Sequence, residues 1–318
     1  MKHIFCACMF IVLFMVSGCG DNGGKKLKIG VSVPAPTHAW AAGVVWSAEQ
    51  AEKRLEAANP DVDVIIARPG SNSADQVNRI ENLLARNIDA LVVMSQEPGP
   101  VSAICERAKK QGVYLVVVSN PLDKPVQDVF VNGDNRSFGA AAAEAMGMLL
   151  KGKGEIVVME GVPCPINTDR AGAFKETLAA KYPGIKILAS QASYWNMEKG
   201  LALMETYLQK FKKIDAVWAG DDDVLIGVLK AYEESKRKDV QFMVGGGGSK
   251  LIVKKILDKD PLIRATVTYS PRMLETGVEA ALDGLRNGKK AKQKEIIIPS
   301  RIITHENARD HYFPDSVY

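Results

Sequence analysis

From residue 27 onward, short runs of β-branched and other apolar residues alternate with longer stretches in which apolar positions recur every three or four residues. The first pattern belongs to buried strands and the second to amphipathic helices, so their alternation predicts parallel βα units. Strands are expected at 27–33, 62–67, 90–94 and 114–119, and in a second series at 155–159, 185–189, 216–219, 242–245 and 265–269. Between them Val44, Ala48, Ala51 and Leu55, spaced four, three and four apart, define one buried helical face, and Leu201, Met204, Leu208 and Phe211 define another. Two series on one plan predict an α/β protein built of two doubly wound parallel-sheet lobes.

The apolar stretch that begins at Val129 ends in Asn132-Gly133-Asp134-Asn135, a turn cluster suited to a crossover between lobes. A helix is expected over 273–285, then a strand at 295–298, Pro299, and a further apolar run at 301–304. A proline between two such runs fits a strand that leaves one sheet for the other. These crossings divide the chain into one lobe of 27–133 plus 270–298 and another of 134–269 plus 299–318, joined by a three-segment hinge.

Residues 1–18 read as a secretory signal peptide: Lys2 and His3 precede an apolar run at 4–16 that is too short to span a bilayer stably. Val16-Ser17-Gly18-Cys19 resembles the lipobox of bacterial lipoproteins. That resemblance implies cleavage before Cys19, its acylation, and an extracytoplasmic body, in the periplasm or at the cell surface, held to a membrane through a tether at 19–26. An ordinary secretory signal with an incidental cysteine is the competing reading. Cys105 and Cys164 then remain, in different lobes, and are not expected to pair.

With 318 residues, 47% of them hydrophobic and 25% charged, the chain is long enough for two cores and globular in composition. Its formal charge of +4 is spread thinly, and no run of Lys or Arg longer than two sits beside stacking aromatics, so nucleic acid is not expected as a partner. None of the four histidines pairs with another at metal-ligand spacing, and no metal or cofactor is expected. The glycine run at 245–248 lacks the spacing of a phosphate loop, because Lys250 follows Ser249, and reads instead as a tight turn between strand and helix.

In open parallel sheets, ligands bind beyond the carboxyl ends of the strands. Those positions hold Pro36-Thr37-His38-Ala39-Trp40, Ser95-Gln96-Glu97, Asn120-Pro121, Asn167-Thr168-Asp169-Arg170, Tyr194-Trp195-Asn196, Asp221-Asp222-Asp223 and Tyr269. A sugar hydroxyl both donates and accepts while its C–H faces are apolar, so carboxylates, amides, a guanidinium and aromatic rings suit it. Each residue also has a plainer reading. Trp40 could be core at a helix start, His38 a loop residue, and one of the three aspartates a helix cap while another meets ligand. Arg170 is expected to open a helix, where a cation gains nothing from the dipole, which favours a ligand contact over a surface ion pair. Trp46 and Trp218 are assigned to the core. Asp221 or Glu97 could act as a general base in an enzyme for a small polar substrate, but no ordered nucleophile and base pair is visible.

Several stretches in order resemble the type I periplasmic binding proteins, in the ribose-binding-like branch that feeds sugar ABC importers. They are residues 29–33 with the loop to Trp40, Asn78-Arg79-Ile80-Glu81, Asn87-Ile88-Asp89-Ala90, Asn132-Gly133-Asp134-Asn135, Arg170-Ala171-Gly172-Ala173-Phe174, Ala216-Val217-Trp218-Ala219-Gly220-Asp221-Asp222, and Pro299-Ser300-Arg301-Ile302-Ile303-Thr304. The resemblance implies a non-enzymatic binder that closes two lobes on a monosaccharide or polyol and delivers it to an ABC importer permease. It places ligand contacts at His38, Trp40, Asn120, Arg170, Trp195, Asp221 and Tyr269. Two departures argue against ribose itself: Gly247 stands where ribose binders carry an aspartate, and Asn120-Pro121 replaces an acid-arginine pair. A sugar receptor for a chemotaxis or sensor-kinase partner uses the same fold and remains open. A LacI-type regulator would need a helix-turn-helix where this chain has its signal.

Overall fold

The computed structural model of the chain describes residues 26–291 and 294–318. The signal expected at 1–18, Cys19, and all but the last residue of the tether lie outside the described residues.

The first run is β1 (Leu27–Ser32), α1 (Ala39–Ala58), β2 (Val62–Ala67), α2 (Ser73–Ala85), β3 (Ala90–Val93), α3 (Pro98–Lys110), β4 (Tyr114–Val118) and β5 (Val129–Gly133). The second is α4 (Asn135–Leu149), β6 (Lys153–Glu160), α5 (Pro165–Lys181), β7 (Gly184–Ala192), α6 (Met197–Lys210), β8 (Ala216–Ala219), α7 (Asp222–Ser235), β9 (Phe242–Val244), α8 (Lys250–Leu257) and β10 (Ile263–Val267). The chain returns through α9 (Met273–Arg286), β11 (Glu295–Ile298) and β12 (Ile302–Ile303). One sheet has the order β11-β5-β4-β3-β1-β2 and the other β12-β10-β9-β8-β6-β7. All neighbours pair in parallel except β12, which runs antiparallel to β10. The result is two α/β lobes.

The lobes form for the reason the pattern suggests. Both faces of each sheet are covered by helices, so the central strands are apolar throughout: all four residues of β3 and all five of β4 are buried. Val44, Ala48, Ala51 and Leu55 of α1 pack with Ile29 and Val31 of β1 in a shared cluster. Each of these valine, leucine and isoleucine side chains contributes about 1.5–3 kcal/mol when removed from water, and each alanine less. Of the face expected around Leu201, Met204 is fully buried, whereas Leu201, Leu208 and Phe211 are partly covered. Trp218 is buried and stacks on Phe174 of α5 at 3.9 Å. Trp46 departs from expectation, being only half-buried and facing an outer groove with Arg54 and Phe313.

The chain passes between the sheets after β5, after β10 and between β11 and β12. Asp134 donates its N–H to Ile298 O at 2.9 Å, and Thr268 donates to Arg301 O at 2.8 Å, so the crossing segments are tied to one another. A strand reaching to Tyr269 was expected, but β10 ends at Val267 because the chain turns there toward the hinge, with the N–H of Tyr269 donated to Gly247 O at 3.1 Å. Cys105 is buried in the first lobe, where burial pushes its thiol up to about 12, and Cys164 precedes α5 in the second; both are free.

Candidate functional site

A cavity of ≈ 210 Å³ opens at the carboxyl ends of the strands, between the lobes. His38, Trp40, Asn120, Arg170, Trp195, Asp221 and Tyr269 all line it, together with Gln96, Ser119, Ile166 and Tyr318. The volume lies below the ~300–1,000 Å³ typical of drug-sized ligands, so a small molecule fits it.

From the first lobe come His38, Trp40 and Asn120. His38 sits in extended conformation just before α1, with its ring 6.5 Å from that of Trp40 and nearly parallel to it. His38 is exposed at the cleft mouth, yet the atoms of the cleft walls around it partly desolvate its ring. This desolvation lowers its pKa, against the pull of Asp223, and so disfavours the charged imidazolium. Trp40 donates its indole N–H to Tyr269 O at 2.7 Å, which fixes the ring against the cavity. Asn120 donates its amide to Ser95 O at 2.7 Å, beside Ser119, whose φ of 62° turns the chain out of β4.

The second lobe supplies Arg170, Trp195 and Asp221. Arg170 was expected to open a helix, but α5 starts at Pro165, because proline suits the first helical position and ends the preceding turn. Arg170 therefore lies in the second turn, and helical side chains lean back toward the N-terminus, which carries it to the cleft. The residue is 7% exposed and its guanidinium lies between the rings of Phe138 at 4.2 Å and Tyr269 at 4.1 Å, with the Nε–H donated to Asn135 Oδ1 at 2.9 Å. Burial works against its charge, yet a group with so high an intrinsic pKa stays protonated. The stack on two rings contributes cation–π attraction in a desolvated setting.

Trp195 and Tyr194 both take the left-handed backbone conformation, with φ of 53° and 59°. Two adjacent non-glycine residues there are costly, and such strain persists where surrounding structure imposes it. The indole is accommodated because residue 161 is glycine: a Cβ there would lie 2.1 Å from Trp195 Nε1.

The three aspartates have three jobs. Asp221 caps α7, accepting from the N–H groups of Asp223 at 2.8 Å and Val224 at 3.3 Å, and also lines the cavity. Asp222 is fully buried and accepts from Gly246 N, Gly248 N, Ser249 N and Thr266 Oγ1, which folds the glycine run around its carboxylate. Asp223 accepts from Ala39 N at 3.2 Å, a bond between the lobes. Burial, then repulsion from Asp223 and Asp222, pushes Asp221 up to about 8, since its surface faces the cavity rather than bulk water. Burial raises Asp222 to about 6 against the donors that hold its charge.

Both pKa values lie above the ordinary 3.8, so the folded protein binds extra protons there, and stability contributed at low pH is lost as pH rises through about 6 and about 8. The melting temperature of the ligand-free protein is expected to fall between about pH 5 and pH 8.5, and Asp221→Asn, which keeps a capping side chain, to flatten that slope. A slope left unchanged by the substitution contradicts this assignment.

Tyr269 is placed as a platform. Its hydroxyl donates to Asn132 Oδ1 at 3.2 Å and lies 3.2 Å from Ser119 Oγ, while its ring supports Arg170. Gly133 makes room for it, since a Cβ there would lie 2.2 Å from the ring. Sequence reasoning passed over Phe138 and Tyr318. Phe138 looks like any core residue of α4, and Tyr318 carries no local pattern at all. Gln96 stood among the residues after β3, and it accepts from Ala35 N at 3.2 Å on the cavity wall.

A family model described as the periplasmic binding protein domain matches residues 29–290. The ribose import binding protein of Bacillus subtilis is 26% identical over 96% of this chain and 100% of its own length. A xylitol-binding protein of Mycolicibacterium smegmatis is 25% identical over 91% of this chain and 81% of its own length. Among solved structures, an ABC transporter solute binding protein from Bacillus halodurans with bound myo-inositol superposes with a TM-score of 0.75 at 23% identity, covering 94% of this chain and 100% of that one.

Proposed function

Because the chain belongs to the periplasmic binding protein domain family, we propose that it captures a neutral monosaccharide or polyol outside the cytoplasm and delivers it to an ABC importer permease. It is a binding protein and not an enzyme. The observation that carries the sugar reading is the convergence of two tryptophans, one from each lobe, on a cavity whose wall holds a buried guanidinium stacked between rings. Aromatic faces cover the C–H patches of a sugar, and a guanidinium, carboxyl and amides serve its hydroxyls. The names of relatives that bind ribose, xylitol and D-allose or D-ribose support the same ligand class.

Contacts from both lobes make the closed form the tighter binder, and that difference in affinity drives closure about the hinge segments near 133–134, 269–270 and 298–299. The motif ending at Cys19 supports an acylated N-terminus that tethers the body to a membrane surface.

A thermal-shift panel of D-ribose, D-xylose, D-allose, xylitol and myo-inositol tests the ligand class. A ligand at about 100 times its dissociation constant stabilises by about 2.7 kcal/mol, a shift of several degrees. At least one panel member is expected to give a saturable shift, and a flat response to all of them at millimolar concentration contradicts the proposal.

A further inference from the structure

Beyond the turn at Ala308–His311, the chain runs back to the cleft, where Tyr318 is wedged between the lobes. A Cβ on Gly43 of α1 would lie 2.8 Å from Tyr318 Cβ, and a Cβ on Gly247 would lie 1.9 Å from the Tyr318 hydroxyl. The residue thus leans on the first lobe with its backbone end and fills, with its phenol, the space that a side chain at position 247 would take. Gly247 has φ of 127°, a conformation that side-chain-bearing residues rarely adopt, so the space is left to Tyr318 by the backbone itself.

The segment is held firmly. Lys250 donates to Pro314 O at 3.3 Å and also to Ser316 O, Tyr318 donates its N–H to Ser316 Oγ at 3.1 Å, and Ser316 Oγ donates to Tyr318 O at 2.7 Å. Tyr318 is 6% exposed, and its hydroxyl, on a residue of the cavity wall, meets no hydrogen-bonding protein group among the described residues. Burial and the nearby aspartates hold the phenol protonated, so it can both donate and accept. A buried hydroxyl without a partner carries a desolvation penalty that a hydrogen bond to ligand would relieve.

The geometry points to Tyr318 as a specificity-determining ligand contact, whose hydroxyl exchanges a hydrogen bond with one hydroxyl of a neutral polyhydroxylated guest at the wall formed by Gly247. The assignment rests on the carbohydrate reading above. It sets a neutral hydroxyl beside Gly247, and the ring shortens the cavity at the same place. A ligand lacking the facing hydroxyl leaves the phenol unpaired and is disfavoured.

The test is calorimetric titration of the wild type and Tyr318→Phe with D-ribose, D-xylose, D-allose, xylitol and myo-inositol, and with monodeoxy analogues of whichever binds best. Tyr318→Phe is expected to raise the dissociation constant of the best ligand about 3- to 10-fold, the size of one net hydrogen bond. The loss is expected to vanish for one particular monodeoxy analogue, because that analogue already lacks the partner. The melting temperature of the ligand-free variant is expected to hold or rise, since no protein bond is removed. Unchanged affinity, or an equal loss for the parent and every analogue, overturns the assignment while leaving the carbohydrate reading intact. If no panel member binds the wild type, the carbohydrate reading fails and this assignment with it.

Discussion

Replacing Arg170 with alanine is expected to weaken binding of the preferred sugar or polyol by at least about 30-fold, corresponding to the 2 kcal/mol or more that truncating a buried hydrogen-bonding charge costs. The guanidinium lies between Phe138 and Tyr269, with Nε already committed to Asn135, so its terminal amines are presented by a fixed fork. Arg170→Lys is expected to rescue little, because an ammonium neither stacks between two rings nor offers paired donors. Alanine also leaves a void between the rings, so the ligand-free melting temperature is to be measured beside the affinity. A fold that survives with an undiminished ligand-induced shift removes Arg170 from the binding site.

The second large effect concerns the second lobe rather than the ligand. Asp222→Ala strips the acceptor from three backbone N–H groups and from Thr266, all facing a fully buried carboxylate. Each buried donor left unpaired costs about 1–3 kcal/mol, so the sum reaches at least about 4 kcal/mol. That is a large part of the 5–15 kcal/mol by which a typical domain is stable. The melting temperature is expected to drop by about 8 °C or more, as followed by circular dichroism. A drop within about 2 °C would mean that the glycine turn holds itself and the carboxylate is incidental.

Much of the architecture was legible because it rests on period. Buried β3 and β4 admit only apolar residues, and the four-three-four spacing of α1 has one physical solution, so most strands and helices emerge within a residue or two of expectation, while β7 runs three residues past it. The site was legible in part for a topological reason: residues just past parallel strands converge on one edge, as His38, Asn120, Trp195 and Asp221 do. What escaped has no local signature. The left-handed backbone at Tyr194 and Trp195, which brings the Trp195 indole against Gly161, is announced by nothing in Tyr-Trp-Asn. The three aspartates look alike in sequence, yet one turn of helix sends their carboxyls to a cap, a buried glycine turn and the opposite lobe. Tyr318 reaches the cavity only because the chain turns back toward the cleft after β12, which is a fact of tertiary course and not of pattern.

The central claim is that one small polyhydroxylated molecule is clasped between both lobes. A crystal structure of the protein with the panel member giving the largest thermal shift tests it most directly. The account predicts that ligand in the cavity bounded by Trp40 and Trp195, hydrogen-bonded to Arg170 and touched by residues of both lobes; ligand density confined to one lobe, or outside this cavity, would contradict it.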